Sequence, residues 1–307
     1  LLTPVDKTII GYLLLVTILI VTSSSRINAW PSFVLAHLVA VLVLVALAAA
    51  SREARSRLYK KMSGSEQFLV FVHGWQPVVT IPSTYMELSY LIPRVHPRDF
   101  DVELAMIDHR IFGVHPTVWL ERFTFPAVTE TLQLVYPLYY ILPIVLGVVL
   151  WRKGWFEQYY FWVFVIAFGF YLSYVGYFAV PAVGPRYLNE IIEAQTRPLT
   201  GIWFYQTVRE ALDRAERITR DCFPSGHTEM TLLVLYYSWR FHRRTFLALL
   251  PIGIGIIVST VYLRYHYVID VFAGVLTALV VVVTAERVYC GLGGRYARLQ
   301  GAAAELP

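Results

Sequence analysis

Charge is scarce in this 307-residue chain. Asp, Glu, Lys and Arg together make up 15% of it, where an average soluble domain has ~25%. Cysteine is rarer still, with Cys222 and Cys290 alone, so a disulfide framework is excluded. Internal repeats are lacking, and the short Ala-rich tail is the one low-complexity stretch. What fills the space is apolar: 57% hydrophobic and 15% aromatic residues, with a mean hydropathy of +0.56. That balance excludes a disordered chain, a collagen-like chain and an ordinary soluble globule. The net charge of +5 and a pI near 9.1 would suit a nucleic-acid binder. Membrane topology explains the surplus better, and no nucleic-acid partner is expected.

A helix needs about 20 apolar residues to cross a bilayer core of ~30 Å. Such runs lie at Thr8–Thr22, Pro31–Ala50, Phe68–Ile92, Thr131–Leu150, Tyr159–Val180, Pro224–Phe241, Thr245–Leu263 and Tyr267–Tyr289. The pattern predicts an all-α, polytopic membrane protein with about eight spans. The first is short enough to resemble a signal peptide, but no small-x-small cleavage site follows it, so a retained helix is expected. Eight spans put both termini and the loops after the second, fourth and sixth spans on one side. That side carries 14 basic and six acidic residues, a net +8, and leaves −3 for the rest of the chain. By the positive-inside rule it is cytoplasmic. The basic run Arg52–Lys61 then reads as a solvated or lipid-phosphate-facing loop.

The opposite side carries two long connections, 93–130 and 181–223, and loops of this length are usually functional. In the second, Thr207 and Glu210 have capping-box spacing. Val208, Ala211, Leu212, Ala215 and Ile218 follow at helical period. In the first, Asp99–Gly113 places Leu104, Ile107 and Ile111 on one face, and Pro116–Leu120 begins another helix. These read as amphipathic helices lying on the membrane interface; plain packing between span ends is the alternative. The organisation expected is two N-terminal helices and a basic loop over 1–67, a six-helix catalytic core over 68–290, and a cytoplasmic tail over 291–307.

Three segments carry the chemistry: Gly184-Pro185-Arg186-Tyr187, Phe223-Pro224-Ser225-Gly226-His227-Thr228, and Arg264-Tyr265-His266-Tyr267-Val268-Ile269-Asp270. All three emerge at span ends on the extracytoplasmic side. His266 and Asp270 are i, i+4, on one face of a continuous helix. A carboxylate on Nδ1–H fixes the imidazole tautomer and leaves Nε2 free to attack. His227 is a second imidazole, able to protonate a leaving oxygen. Arg186 and Arg264 are guanidinium forks suited to phosphate oxygens. Ser225, Gly226 and Thr228 open a helix whose N-terminal N–H groups suit an anion, and Tyr187, next to Arg186, joins the expected phosphate-binding set. This set amounts to a phosphoryl-transfer site without metal or cofactor. Each piece alone has a plainer reading, as an interfacial histidine, a snorkelling arginine or a helix start. The His/His/Asp trio also has zinc-ligand chemistry, although thiolates and clustered acids are otherwise missing beside it.

At these residues the chain resembles the type 2 phosphatidic acid phosphatase superfamily, whose pattern is K-x6-R-P, then P-S-G-H, then S-R-x5-H-x3-D on a six-helix core. Pro224–His227 matches the second motif, and His266-x3-Asp270 matches the end of the third. The resemblance implies a phosphohistidine mechanism, with His266 as nucleophile, Asp270 as its partner and His227 as general acid. The first motif departs: Arg197-Pro198 has Glu190 in place of the lysine, so Arg186 is the better candidate. The third keeps Ser259 but has Thr260 in place of arginine, with Arg264 one turn closer to His266. Ser259-Thr260-Val261-Tyr262-Leu263 ahead of His266 is similar to the inositol phosphorylceramide synthase and inositol phosphotransferase branch. The resemblance implies a membrane lipid substrate and transfer of a phosphorylated headgroup to a lipid hydroxyl, with hydrolysis of a lipid phosphate or polyprenyl diphosphate as the alternative. A non-catalytic transporter or scaffold is a further option, and the intact His227, His266 and Asp270 speak against it.

Overall fold

The computed structural model describes residues 1–56, 63–216 and 220–295. Arg57, Lys60 and Lys61 of the basic run, Ile218 of the amphipathic pattern and tail residues 296–307 lie outside the described residues. Among the described residues every regular element is helical. Five helices are long and apolar enough to cross a membrane: Pro4–Thr22, Trp30–Ala50, Phe156–Ala179, Arg243–Tyr262 and Val268–Gly291. A sixth crossing is made if Pro126–Tyr140 and Leu142–Arg152, bent by 49°, count as one broken span. Their outward faces are apolar; Leu35, Leu38 and Leu42 are all more than half exposed, as side chains facing lipid would be.

Three of the eight apolar runs are not single continuous helices of that length, for local reasons. The run Phe68–Ile92 is interrupted at Gln76, where Pro77 brings no N–H, giving the helices Gly64–Trp75 and Pro77–Val95. Thr131–Leu150 is broken at Pro137, where Tyr136–Tyr140 tightens to a 3-10 turn. Pro224–Phe241 becomes helical only at Gly226, giving 16 residues. Within the long connections, helices form at Asp101–Phe112, Pro116–Trp119 and Tyr205–Glu216. The last starts before Thr207, so Thr207 lies in its first turn rather than capping it. In Asp101–Phe112 the buried face is Asp101, Leu104, Ala105 and Asp108, and Ile107 and Ile111 are exposed.

The chain forms two compact units, neither a continuous stretch. The first comprises Leu1–Glu87, Gly147–Tyr171 and Val281–Pro307. Its Pro4–Thr22 helix opens with a Thr3/Asp6 capping box. Asp6, fully buried, also takes hydrogen bonds from Gln76 Nε2 at 2.9 Å and meets His73 Nε2 at 3.1 Å. The second unit, Leu88–Leu146 and Leu172–Val280, holds every candidate site residue. In it the Gly226–Phe241 helix packs along Arg243–Tyr262, which also meets Pro126–Val135 and the Tyr136–Tyr140 turn. Two apolar clusters hold this unit: one around Leu104, Ala182, Cys222 and Tyr267, the other around Tyr136, Tyr205, Leu212, Tyr262 and Tyr265.

Candidate active site

His266 is placed by the way its helix ends. After Tyr262, the Arg264 N–H reaches the Val261 carbonyl at 3.0 Å and the Tyr265 N–H reaches that of Thr260 at 2.9 Å. This is the Schellman pattern, which needs a left-handed residue at the turn, normally glycine. Here Arg264 takes that conformation, with φ +65°. The next N–H, from His266, also goes to the Thr260 carbonyl, at 2.9 Å. The chain then starts the Val268–Gly291 helix, with Asp270 in its first turn.

His227 is placed by a helix start. Ser225 caps Gly226–Phe241, its Oγ accepting the Thr228 N–H at 3.3 Å. The Ser225 N–H donates to the Asp270 carbonyl at 3.0 Å, which ties the two motifs together through their backbones. A side chain at 226 would collide with the Tyr177 hydroxyl, so the approach requires glycine. His227 thus sits in the first turn, at the positive end of the helix dipole. The rings of His227 and His266 lie edge to face with centroids 5.8 Å apart. Both residues are buried, and the Nε2 of His227 has no hydrogen-bond partner.

The Nδ1 of His266 is 2.8 Å from the carbonyl oxygen of Cys222 and 3.5 Å from Asp270 Oδ2. A carbonyl only accepts, so Nδ1 carries the proton and Nε2 keeps its lone pair. The expected tautomer follows, but Cys222 fixes it rather than the carboxylate. Asp270, fully buried, instead accepts from the Tyr267 N–H and from the Cys222 thiol, each at 2.8 Å. Its negative charge remains close behind the ring. Burial, with Asp270 alongside, pushes the Cys222 thiol well above its usual range, so it stays a donor. Cys222 Sγ, His266 Nδ1 and an Asp270 oxygen lie within 4.8 Å of one another, the geometry of a metal-ligating trio. Each of these atoms is engaged in the hydrogen bonds just described.

The other site residues of the sequence pattern fall into two groups. Ser225, Gly226 and Thr228 stay at the histidine pair, but the Ser225 and Thr228 hydroxyls bond each other at 3.1 Å. Arg186, Tyr187 and Arg264 have other partners. One column of stacked groups runs from Tyr139 through His227, Tyr136 and Tyr265 to the Arg186 guanidinium, with ring spacings of 4.0, 4.3 and 4.3 Å and the cation 4.4 Å from the last ring. Two tyrosine rings therefore separate Arg186 from His227. Tyr187 is partly exposed beneath the same guanidinium. Arg264 is clamped by Glu121 at 2.9 Å, Gln195 Oε1 at 2.6 Å and the Arg197 carbonyl at 2.7 Å.

Sequence reasoning missed Cys222 and four carboxylates of the first long connection. Asp101 accepts the N–H groups of Val183 and Gly184 and the Tyr267 hydroxyl. Asp108 accepts the N–H groups of Val268 and Ile269 at 2.7 and 2.8 Å, capping the helix of Asp270. Burial, with Asp270 nearby, lifts the Asp108 carboxyl to about 6. Glu121 holds Thr196 and Arg197 as well as Arg264. Glu130 gathers four successive N–H groups, from Ile202 to Tyr205. The seven-residue spacing of Asp101 and Asp108, two turns on one helix face, was the available signal.

Comparisons with known proteins identify the family. The profile of the PAP2 superfamily matches residues 102–284, more than half of the chain, and covers the segments 184–187, 223–228 and 264–270. A PA-phosphatase related-family protein of Dictyostelium discoideum is 32% identical over 94 residues, 30% of this chain. The chain spans only 17% of that relative's length. No solved structure matches. With both histidine motifs inside the matched segment, the chain belongs to the PAP2 superfamily.

Proposed function

We propose that the protein is a lipid phosphotransferase working through a phosphohistidine on His266. The observation that carries this is the buried pair itself: an imidazole with Nδ1 held by a carbonyl, facing a second imidazole whose Nε2 has no partner. A phosphoester bound between them is attacked at phosphorus by His266 Nε2. The P–N bond forms as the P–O bond breaks, and His227 gives its proton to the leaving lipid oxygen. Asp270 stabilises the positive ring. In the second half, His227 takes the proton of an acceptor hydroxyl, whose oxygen displaces His266 from phosphorus. The first-turn N–H groups and dipole of Gly226–Phe241 favour the anionic group throughout. Activity needs no metal in this reading.

Water and a lipid hydroxyl can both attack the phosphoenzyme. Burial of both imidazoles, with His227 stacked between Tyr136 and Tyr139, favours transfer, because it limits water. The charge distribution supports an extracytoplasmic site with cytoplasmic termini, reached by lipids from the side. The test is to give purified protein a panel of labelled phospholipids and lipid phosphates, with and without a lipid alcohol, and identify products. A new phosphodiester lipid formed only with the alcohol supports transfer. Release of the free phosphate or headgroup at the same rate either way returns the hydrolase reading.

A further inference from the structure

Arg186 and Arg264 line one cavity, whose wall carries neither His227 nor His266. It has a volume of about 430 Å³ and is also lined by Arg197, Arg209, Gln195 and Tyr205. That volume falls within the ~300–1,000 Å³ range of small-ligand sites. Four of its lining residues are arginines and none is acidic. Two carboxylates behind the wall offset part of the charge. Asp213 pairs with Arg186 at 2.7 Å and lies 3.8 Å from Arg209, and Glu121 pairs with Arg264. The Arg197 guanidinium has no partner among the described residues. Gln195 Nε2 and Arg264 Nε are buried donors with no acceptor, an arrangement that costs free energy unless a ligand supplies one.

We propose that this cavity is a second anion site, which holds a phosphate-class group other than the one that reacts. An excess of guanidinium forks and unmatched N–H donors selects for an acceptor-only, multiply charged group, and phosphate oxygens meet that requirement. The Tyr136 and Tyr265 rings stand between the Arg186 wall of the cavity and His227, the proton donor of the proposed reaction. The strained φ of Arg264 has a use here, since the residue that turns the chain toward His266 also supplies the wall of the cavity. In assigning the group to a substrate the inference rests on the catalytic reading above; as a binding site it stands without it. Phosphate chemistry has two sources, a free anion or a lipid headgroup.

The test is calorimetric binding to the purified full chain in detergent, in a His266→Ala background so that nothing turns over. The probes are inorganic phosphate and dihexanoyl phosphatidic acid. Arg197→Gln with Arg209→Gln removes two cations at partly exposed positions and leaves the Arg264–Glu121 pair intact. The expected result is binding in the His266→Ala protein that weakens about tenfold or more when both arginines are changed. The probe that shows the loss names the source. Unchanged affinity in the triple variant overturns the proposal. So does binding to wild type that vanishes with His266→Ala alone, which would make the histidine pair the sole anion site and leave the catalytic reading standing.

Discussion

In the proposed mechanism His266 and His227 occupy opposite sides of one reaction, and their substitutions should differ in kind. His266→Ala removes the nucleophile and abolishes turnover of every substrate. His227→Ala removes the proton donor, which matters less when the leaving group is already acidic. On an aryl phosphate, His227→Ala should therefore retain measurably more activity than His266→Ala, whereas both fail on an alkyl lipid phosphate. Equal losses on the two substrate types, measured as kcat/KM, would contradict the division of roles. Cys222 holds the His266 ring through its carbonyl and Asp270 through its thiol. Cys222→Ala keeps the first contact and deletes the second. A hydrogen bond to a charged group is worth about 1.5–3 kcal/mol, so kcat should fall by about tenfold or more while the protein still folds. An unchanged kcat would show that the thiol does not position Asp270.

Among the elements, Asp101–Phe112 deserves the role of clamp, because two of its carboxylates hold the backbones of two catalytic segments. Asp108 carries a carboxyl raised to about 6 by burial and by Asp270, above an ordinary 3.8. Its folded form binds a proton more tightly than its unfolded form. Between those values the folded state gains stability as pH falls, and the gain is lost as pH rises through 6. Relative to Asp108→Asn, wild type should gain about 1.4 kcal/mol on going from pH 7.5 to pH 5, read as the difference in denaturation midpoints in detergent. A pH-independent difference would remove the argument. Gly184 is a second test of the clamp. At φ +97°, with the Tyr265 carbonyl 2.5 Å from where a Cβ would stand, Gly184→Ala should disrupt the Asp101 contacts and cost most of the activity. The sequence made the all-helical architecture legible, since long apolar runs dominate it, and it put His227, His266 and Asp270 at converging span ends. It did not reveal the breaks at Gln76 and Pro137, because hydropathy averages over a single unsatisfied backbone group. Nor did it reveal Cys222, Asp101, Asp108, Glu121 or Glu130. The carboxylates act on backbone N–H groups, and Cys222 on the side chains of His266 and Asp270, across long separations that hydropathy does not record. Arg264 was legible as a cation but not as a left-handed turn residue tied to Glu121.

At the scale of the whole molecule, the proposed orientation has the reaction on the extracytoplasmic face. With Cys290→Ala as background, Asn189→Cys beside the motifs should react with an impermeant thiol reagent added outside intact cells, and Ser56→Cys should react only after lysis. Both positions are exposed. The reverse pattern would move the reaction to the cytoplasmic face. The central claim, a covalent phosphohistidine on the path of a lipid phosphotransferase, is tested most directly by trapping it. His227→Ala protein mixed with an aryl phosphate and quenched in alkali should carry an acid-labile, alkali-stable phosphoryl group, located by mass spectrometry on His266. The account predicts that adduct, and predicts its absence from His266→Ala. Turnover without any adduct, or an adduct on another residue that survives His266→Ala, would contradict it.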